Sequence, residues 1–428
     1  MGLLGGSLFV LLVIGAPIGI ALAGAVVLVI LADPITSPVA LFRSFFSFVS
    51  SYTLMAIPFF IYAGFLMERT GLITKLFKLA DALIGWVPGG FAYATLIAAV
   101  FFGAVSGSST AMSAAMGVIA YPEMIRRGYP EWMATGIIAC AGGIALLIPP
   151  SITLILFGII TEGSIVSLFF AGFTPGLMLA LSDAAIIVLL SFYMKLPSGD
   201  FSLRYLGEAL WESWPALLMP VVVLGGLYGG LFTPTEAGAA ACGYALLYGL
   251  IVRRGPFLRE LMATTARAMN LTTIVFFVLG CVGVFQFLLA NKGWPQDIAA
   301  WVNTLGLTQT GFLVALLAVM LFLSMFLTGV AILVLTVPVF FPVALTLGVD
   351  PIHLGILTAL AIEMGGVIPP VGLNLFAVSG TTGVPVARVM KGAIPFLFTD
   401  GIVLVLVLMF PILALWLPNL AVQNVFGQ

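Results

Sequence analysis

The chain has 428 residues, 62% of them hydrophobic and 7% charged, with a mean hydropathy of +1.26; soluble domains are about one-quarter charged. Fifteen basic residues, sixteen acidic residues and one histidine leave no basic stripe for nucleic acid and no charged tail. Long runs without Asp, Glu, Lys or Arg keep their backbone satisfied in lipid only as helices, whereas barrel strands read as short alternating segments. The composition therefore predicts an all-α polytopic membrane protein.

Dividing the chain at its charges gives apolar stretches near 2–15, 17–32, 53–67, 89–122, 130–161, 164–194, 214–231, 236–252, 270–290, 309–347, 351–384 and 394–417. The first has no Lys or Arg ahead of its hydrophobic run and is expected to stay in the membrane rather than be cleaved. The segments 38–52, 72–86, 201–213 and 257–269 mix charges with Phe, Leu and Trp, as amphipathic helices on a membrane surface do. A crossing takes about 20 residues, so the thirty-four of 89–122 are too many for one span and too few for two with a turn. The same holds for 309–347, and both are expected to be re-entrant hairpins whose turns are buried in protein or line water. With hairpins that do not cross, thirteen basic residues fall on one side and only Arg43 and Lys292 on the other. That bias places the thirteen in the cytoplasm and both termini outside. Cys140, Cys242 and Cys281 sit in apolar runs without metal-ligand spacing and read as small packing residues.

A repeat runs at an offset of 220 residues: Pro122 matches Pro342, Gly128 matches Gly348, and Ile148-Pro149-Pro150 matches Ile368-Pro369-Pro370. Each half holds five crossings and one hairpin, and an odd number of crossings turns the second copy upside down. Inverted repeats with interrupted helices are the usual plan of secondary transporters. The expected division is 1–195 for the first repeat, 196–213 for a cytoplasmic amphipathic connector, and 214–428 for the second repeat. The hairpins 89–125 and 309–347 and the broken helices 130–161 and 351–384 are its moving core.

The first hairpin turns at Ser106-Gly107-Ser108-Ser109-Thr110. Hydroxyls and free carbonyls are hard oxygen ligands that suit sodium, although the same groups also bond to carbonyls of neighbouring helices. The stretch 130–161 would span about 48 Å as one helix at about 1.5 Å per residue, longer than a bilayer core. Gly142-Gly143 and Pro149-Pro150 mark where it breaks, releasing carbonyls around 143–148. The second half offers Thr328-Gly329 at its tip and Gly365-Gly366-Val367-Ile368-Pro369-Pro370-Val371-Gly372 in its break. One tip opposite one break, twice, points to paired ion sites. The first would use Ser106, Ser108, Ser109, Gly143, Ile148 and Pro149. The second would use Thr328, Gly329, Gly366, Ile368 and Pro369.

Asp183, Glu363 and Asp400 read either as relays or as groups hydrogen-bonded within the bundle or near its ends. Glu236, behind Thr233-Pro234, is expected to cap a helix start. His353 reads as an interfacial or packing residue, and no carboxylate pair, nucleotide-binding loop or nucleophile elbow suggests an enzyme or ATP-driven transport.

Ser106-Gly107-Ser108-Ser109-Thr110-Ala111 with Tyr121-Pro122-Glu123-Met124, Leu147-Ile148-Pro149-Pro150-Ser151-Ile152, Phe232-Thr233-Pro234-Thr235-Glu236-Ala237, and Pro369-Pro370-Val371-Gly372-Leu373-Asn374-Leu375-Phe376 together resemble the large membrane subunit of tripartite ATP-independent periplasmic (TRAP) transporters. The resemblance implies a sodium-coupled elevator importer of organic acids, of sialic-acid or C4-dicarboxylate type, in the bacterial inner membrane. It implies a small four-helix membrane subunit and a periplasmic substrate-binding protein as partners. It also places substrate on Ser109, Thr110 and Asn374. Many relatives carry an acidic residue where this chain has Thr328, and often a Thr where it has Ile368. The second site must therefore lean on Thr328 Oγ1 and backbone oxygens. A stand-alone sodium/dicarboxylate carrier and a non-transporting scaffold subunit are the alternatives.

Overall fold

The computed structural model describes residues 2–32, 38–369 and 371–425, and within them every regular element is a helix. Helices α1 (Gly2–Val13) and α2 (Ile18–Ala32) pack on each other. Helix α3 (Pro38–Val49) meets α4 (Ala56–Thr70) at a 54° bend, and α5 (Leu72–Ile84) follows. The first hairpin is α6 (Gly90–Ser106) and α7 (Ser109–Arg126), and the first broken helix is α8 (Glu131–Leu147) and α9 (Ile152–Ile160), bent by 41°. Long helices α10 (Ile165–Met194), α11 (Leu203–Tyr228), α12 (Pro234–Val252) and α13 (Arg254–Asn291) come next, then the short α14 (Trp294–Thr304). The second hairpin is α15 (Gln309–Ser324) and α16 (Gly329–Thr346), and the second broken helix is α17 (Pro351–Gly365) and α18 (Leu373–Thr382). Helices α19 (Val386–Met409) and α20 (Ile412–Val425) complete the chain.

Among the described residues, six helices are long and apolar enough to cross a membrane: α10, α11, α12, α13, α16 and α19. Both hairpins turn where the sequence places them, at 107–108 and 325–328. The repeat offset holds at element boundaries, since α7 at 109–126 shifted by 220 is 329–346, the bounds of α16. Helix α8 starts at 131 and α17 at 351, and Gly128 (φ 86°) and Gly348 (φ 73°) both turn the chain ahead of them in the left-handed region. Only glycine enters that region without steric cost.

Three expectations need correction. The segments 201–213 and 257–269 are not separate surface helices but the first turns of α11 and α13, because each runs into the following span without a break. Helix α11 even retains Pro215 and Pro220, with the Pro215 carbonyl accepting a bond from Tyr244 Oη at 2.5 Å. The final stretch 394–417 breaks at Phe410 (φ −125°, ψ 80°) ahead of Pro411, since a residue before proline is pushed out of helical geometry. Its last part packs as α20 against α10. Gly142 and Gly143, expected at the break, lie inside an unbroken α8.

Helices α8 and α17 form the centre. Every residue from Met133 to Leu147 and from His353 to Gly365 is buried, the signature of a helix surrounded by protein on all sides. Around them pack α7, α18, α19 and α10, while α4, α12, α13 and α2 pack among themselves. Arg127, at the base of the first hairpin, donates through both Nη atoms to Asp81 of α5 at 2.9 Å and through Nε to Glu123 at 2.7 Å. Thr233 and Glu236 form a reciprocal capping box at the start of α12, as expected, and His353 Nε2 bonds the Val407 carbonyl at 2.9 Å as a buried packing group. Cys140, Cys242 and Cys281 are free and buried.

Candidate functional site

Each hairpin tip is built around a helix start. Gly107 ends α6 at φ 57°, and Ser108 then caps α7 by accepting from Ala111 N at 3.4 Å. In the second half, Thr328 caps α16 by accepting from Ala331 N at 3.3 Å. These two caps stand 220 residues apart, so the hydroxyl at each tip has the same backbone job.

The tips meet the breaks. A Cβ on Gly107 would lie 2.5 Å from the Pro150 carbonyl and 3.0 Å from Ile152 N, so the first tip is pressed against the first break. A Cβ on Gly329 would lie 2.6 Å from Ile362 Cγ2, next to the second break. Pro149 and Pro150 carry no N–H, so the carbonyls of Ala145 and Leu146 lose their helical donors. Pro369 and Pro370 do the same to Gly365 and Gly366, and the Gly366 carbonyl instead accepts from Asn374 N at 2.9 Å.

Between the tips lies a cavity of about 390 Å³. Ser108, Ser109, Thr110, Thr328, Gly329, Gly366 and Asn374, drawn from separate motifs, all line it. Gly143, Ile148, Pro149, Ile368 and Pro369 do not line it. The side chain of Ser106 and the whole of Pro370 lie outside the described residues. Sequence reasoning missed the opposite wall, which is Ile18, Ile61, Leu271, Ile274, Val275 and Val278 from α2, α4 and α13. Apolar residues on apolar helices carry no local signal. Thr153, in the first turn of α9, also lines the cavity and could have been suspected as a hydroxyl three residues after Pro150.

Two substrate candidates are bonded to each other. Asn374 Nδ2 donates to Ser109 Oγ at 2.5 Å and reaches the Ala139 carbonyl at 3.3 Å, which ties the second broken helix to the first hairpin. Behind them, the small strip Gly142-Gly143 lets two other groups close in. A Cβ on Gly142 would meet Ser113 Oγ, and one on Gly143 would overlap the Glu363 carboxyl.

Asp183, Glu363 and Asp400 are each 1% exposed; Glu363 lies in the last turn of α17 and Asp183 is held by the Thr399 hydroxyl, while Asp183 Oδ1, Asp400 Oδ2 and both oxygens of Glu363 have no hydrogen-bond partner. Among the described residues, no three acidic, histidine or cysteine groups converge tightly enough to hold a metal.

The electrostatics of the cavity come from backbone. Helices α7, α9, α16 and α18 begin at Ser109, Ile152, Gly329 and Leu373, and all four residues line it. Helix N-termini carry about half a positive charge and free N–H groups. Gly107 at the end of α6, Leu146 near the end of α8 and Gly366 at the α17 break line the same cavity. None of the described lining residues is charged. An anion and a hard cation can thus be held side by side by backbone dipoles and hydroxyls, within a bundle of hairpins and broken helices.

Those features define a polytopic helical transporter. The chain belongs to the DctM component of tripartite ATP-independent periplasmic transporters, whose family model matches residues 6–413. It is 41% identical over 370 residues to the C4-dicarboxylate TRAP transporter large permease protein of Pseudomonas aeruginosa, covering 86% of each chain. It is 33% identical over 378 residues to the sialic acid TRAP transporter large permease protein of Vibrio cholerae, covering 87% of each. The crystal structure of the Alcanivorax borkumensis YdaH transporter has the same fold, with a TM-score of 0.60, 15% identity and 88% of both chains covered. The chain is therefore a TRAP large permease subunit, a multi-pass membrane protein and not an enzyme.

Proposed function

We propose that this subunit carries a small organic acid inward across the bacterial inner membrane, coupled to sodium, by an elevator movement. Its moving core would be the two hairpins and two broken helices, sliding against α2, α4, α12 and α13, with both termini periplasmic. A small four-helix membrane subunit and a periplasmic binding protein complete the machine. The observation that carries this reading is the uncharged cavity between the two tips, on which four helix N-termini converge beside residues of both breaks. A carboxylate of C4-dicarboxylate or sialic-acid type is held there without a basic side chain, and sodium ions sit where tip meets break. Ser108 and Ser109 serve the first site and Thr328 the second. Relatives named for C4-dicarboxylate and sialic acid transport support the substrate class.

The energetics suffice. A tenfold sodium gradient supplies about 1.4 kcal/mol per ion, and each net charge moved across 100 mV adds about 2.3 kcal/mol. Two or three ions then drive a monocarboxylate inward by several kcal/mol. Uptake by proteoliposomes containing both membrane subunits and the binding protein tests the reading. It should require an inward sodium gradient and rise with an inside-negative potential, and Ser108→Ala with Ser109→Ala should raise the half-saturating sodium concentration. Uptake that survives collapse of the sodium gradient, with protons balanced, sinks the coupling. Full-rate uptake without the binding protein favours a stand-alone carrier.

A further inference from the structure

Among the described residues, Glu363 stands apart from every other acidic residue. It lies on α17, at the centre of the bundle and 1% exposed. Neither carboxyl oxygen has a hydrogen-bond partner. Asp183 and Asp400 are equally buried, but each leaves only one oxygen bare, and Asp183 is also held by the Thr399 hydroxyl. These two carboxyls lie close enough for their charges to act on Glu363. The ion pairs found among the described residues involve other groups, so no lysine or arginine offsets the three acids.

An uncompensated carboxylate inside a bundle is costly enough that it is either protonated or joined by a cation. Protonation removes the charge but creates a hydroxyl donor that itself needs an acceptor, and neither oxygen makes a hydrogen bond here. A sodium ion satisfies charge and lone pairs together, because a carboxylate is a hard oxygen ligand.

The direction of the side chain indicates which ion. Its carboxyl occupies the space that a side chain at Gly143 would fill. The adjacent Gly142 faces Ser113 Oγ, the Ser109 carbonyl and Asn374 Nδ2. One two-residue strip of α8 therefore has the hydroxyl-rich foot of the first hairpin on one side and the bare carboxylate on the other. The first site, read from sequence as Ser106, Ser108, Ser109, Gly143, Ile148 and Pro149, has no formal negative charge of its own.

We infer that Glu363, from the second repeat, supplies the negative charge of the sodium site formed by the first hairpin and the first broken helix. It acts by ligating the ion across the gap at Gly143. This inference rests on the sodium-coupled reading given above, and it assigns a charge that neither repeat contains within its own tip and break.

Equilibrium binding of radioactive sodium to the purified full-length protein tests it, with sodium-dependent thermal stabilisation as a second readout independent of transport. Glu363→Gln keeps the shape and removes the charge, and should raise the half-saturating sodium concentration at least tenfold. Glu363→Asp keeps the charge but withdraws it by one methylene, and should fall between Glu363→Gln and the unmodified protein. Gly143→Ala, whose methyl would collide with the Glu363 carboxyl, should weaken sodium binding in the same direction. Sodium affinity within twofold of the unmodified protein in both Glu363 variants overturns the assignment while leaving sodium coupling intact. If the unmodified protein binds no sodium, the coupling itself fails, and this assignment with it. Should Glu363→Gln not fold, Glu363→Asp decides: unchanged affinity there overturns the inference, and weakened binding supports it.

Discussion

Gly107→Ala probes the contact on which the first site depends. Gly107 is left-handed at φ 57°, where a residue with a Cβ is destabilised by about 1–2 kcal/mol. Its new methyl would also lie 2.5 Å from the Pro150 carbonyl. Ordinary contact requires the tip or the break to retreat by about 1 Å, and forced overpacking adds about 1–3 kcal/mol. Gly128→Ala is the control: its φ of 86° imposes similar backbone strain, but nothing lies within 4 Å of the added methyl. The difference between the two variants isolates the tip-to-break contact from backbone conformation. In detergent, both should lower the thermal unfolding midpoint, Gly107→Ala by clearly more. Only Gly107→Ala should shift the sodium concentration that gives half-maximal stabilisation, by about tenfold if the displaced tip forfeits about 1.4 kcal/mol of ion binding. Equal midpoints for the two variants and an unmoved sodium dependence would refute the claim that the tip and the Pro149-Pro150 break form one site.

Asn374→Ala removes the donor shared by Ser109 Oγ and the Ala139 carbonyl, and leaving the buried Ser109 Oγ without that donor costs about 1–3 kcal/mol. Uptake per folded molecule, measured after normalising for surviving protein, should collapse, and preserved uptake would show that the bond is not part of the transport site. For topology, single cysteines at Gly128 and Gly348 should react with an impermeant reagent from opposite faces, the first from the cytoplasm. Labelling of both from one face contradicts an inverted repeat, and the native Cys140, Cys242 and Cys281, all buried, should contribute little background.

Much of the architecture was legible because its signals are local. Glycine, proline and the lone charges mark chain reversals whatever surrounds them, so both hairpins and both breaks could be placed before any packing was known. The site was legible to the same depth: hydroxyls at the tips, and carbonyls released by paired prolines. What stayed hidden depends on partners. Gly142-Gly143 looks the same in sequence whether it bends a helix or admits a neighbour, and here it admits Ser113 and Glu363. Leu271, Ile274, Val275 and Val278 of α13 line a wall of the cavity, yet two apolar turns in a 38-residue helix are indistinguishable from the next two. Glu363 resembles any other acid in an apolar run until its unpartnered oxygens and its position against α8 are known.

The repeat also shows where symmetry ends. Backbone geometry survives at the 220-residue offset, with Ser108 and Thr328 capping corresponding helices and Gly128 and Gly348 turning the chain alike. The chemistry does not: the first tip has a left-handed glycine and a run of hydroxyls, while the second reaches its cap through Met325-Phe326-Leu327. Glu363 has no acidic counterpart, since the position 220 residues earlier is Gly143 itself. At equivalent positions one half therefore presents a carboxylate and the other the absence of a side chain, and the structure packs the two against each other. A pair of identical residues could not do this, because two carboxylates would repel and two glycines would leave a void. The repeat thus makes its centre by divergence at one pair of equivalent positions, and under the sodium-coupled reading proposed above the two flanking sites need not bind with equal strength.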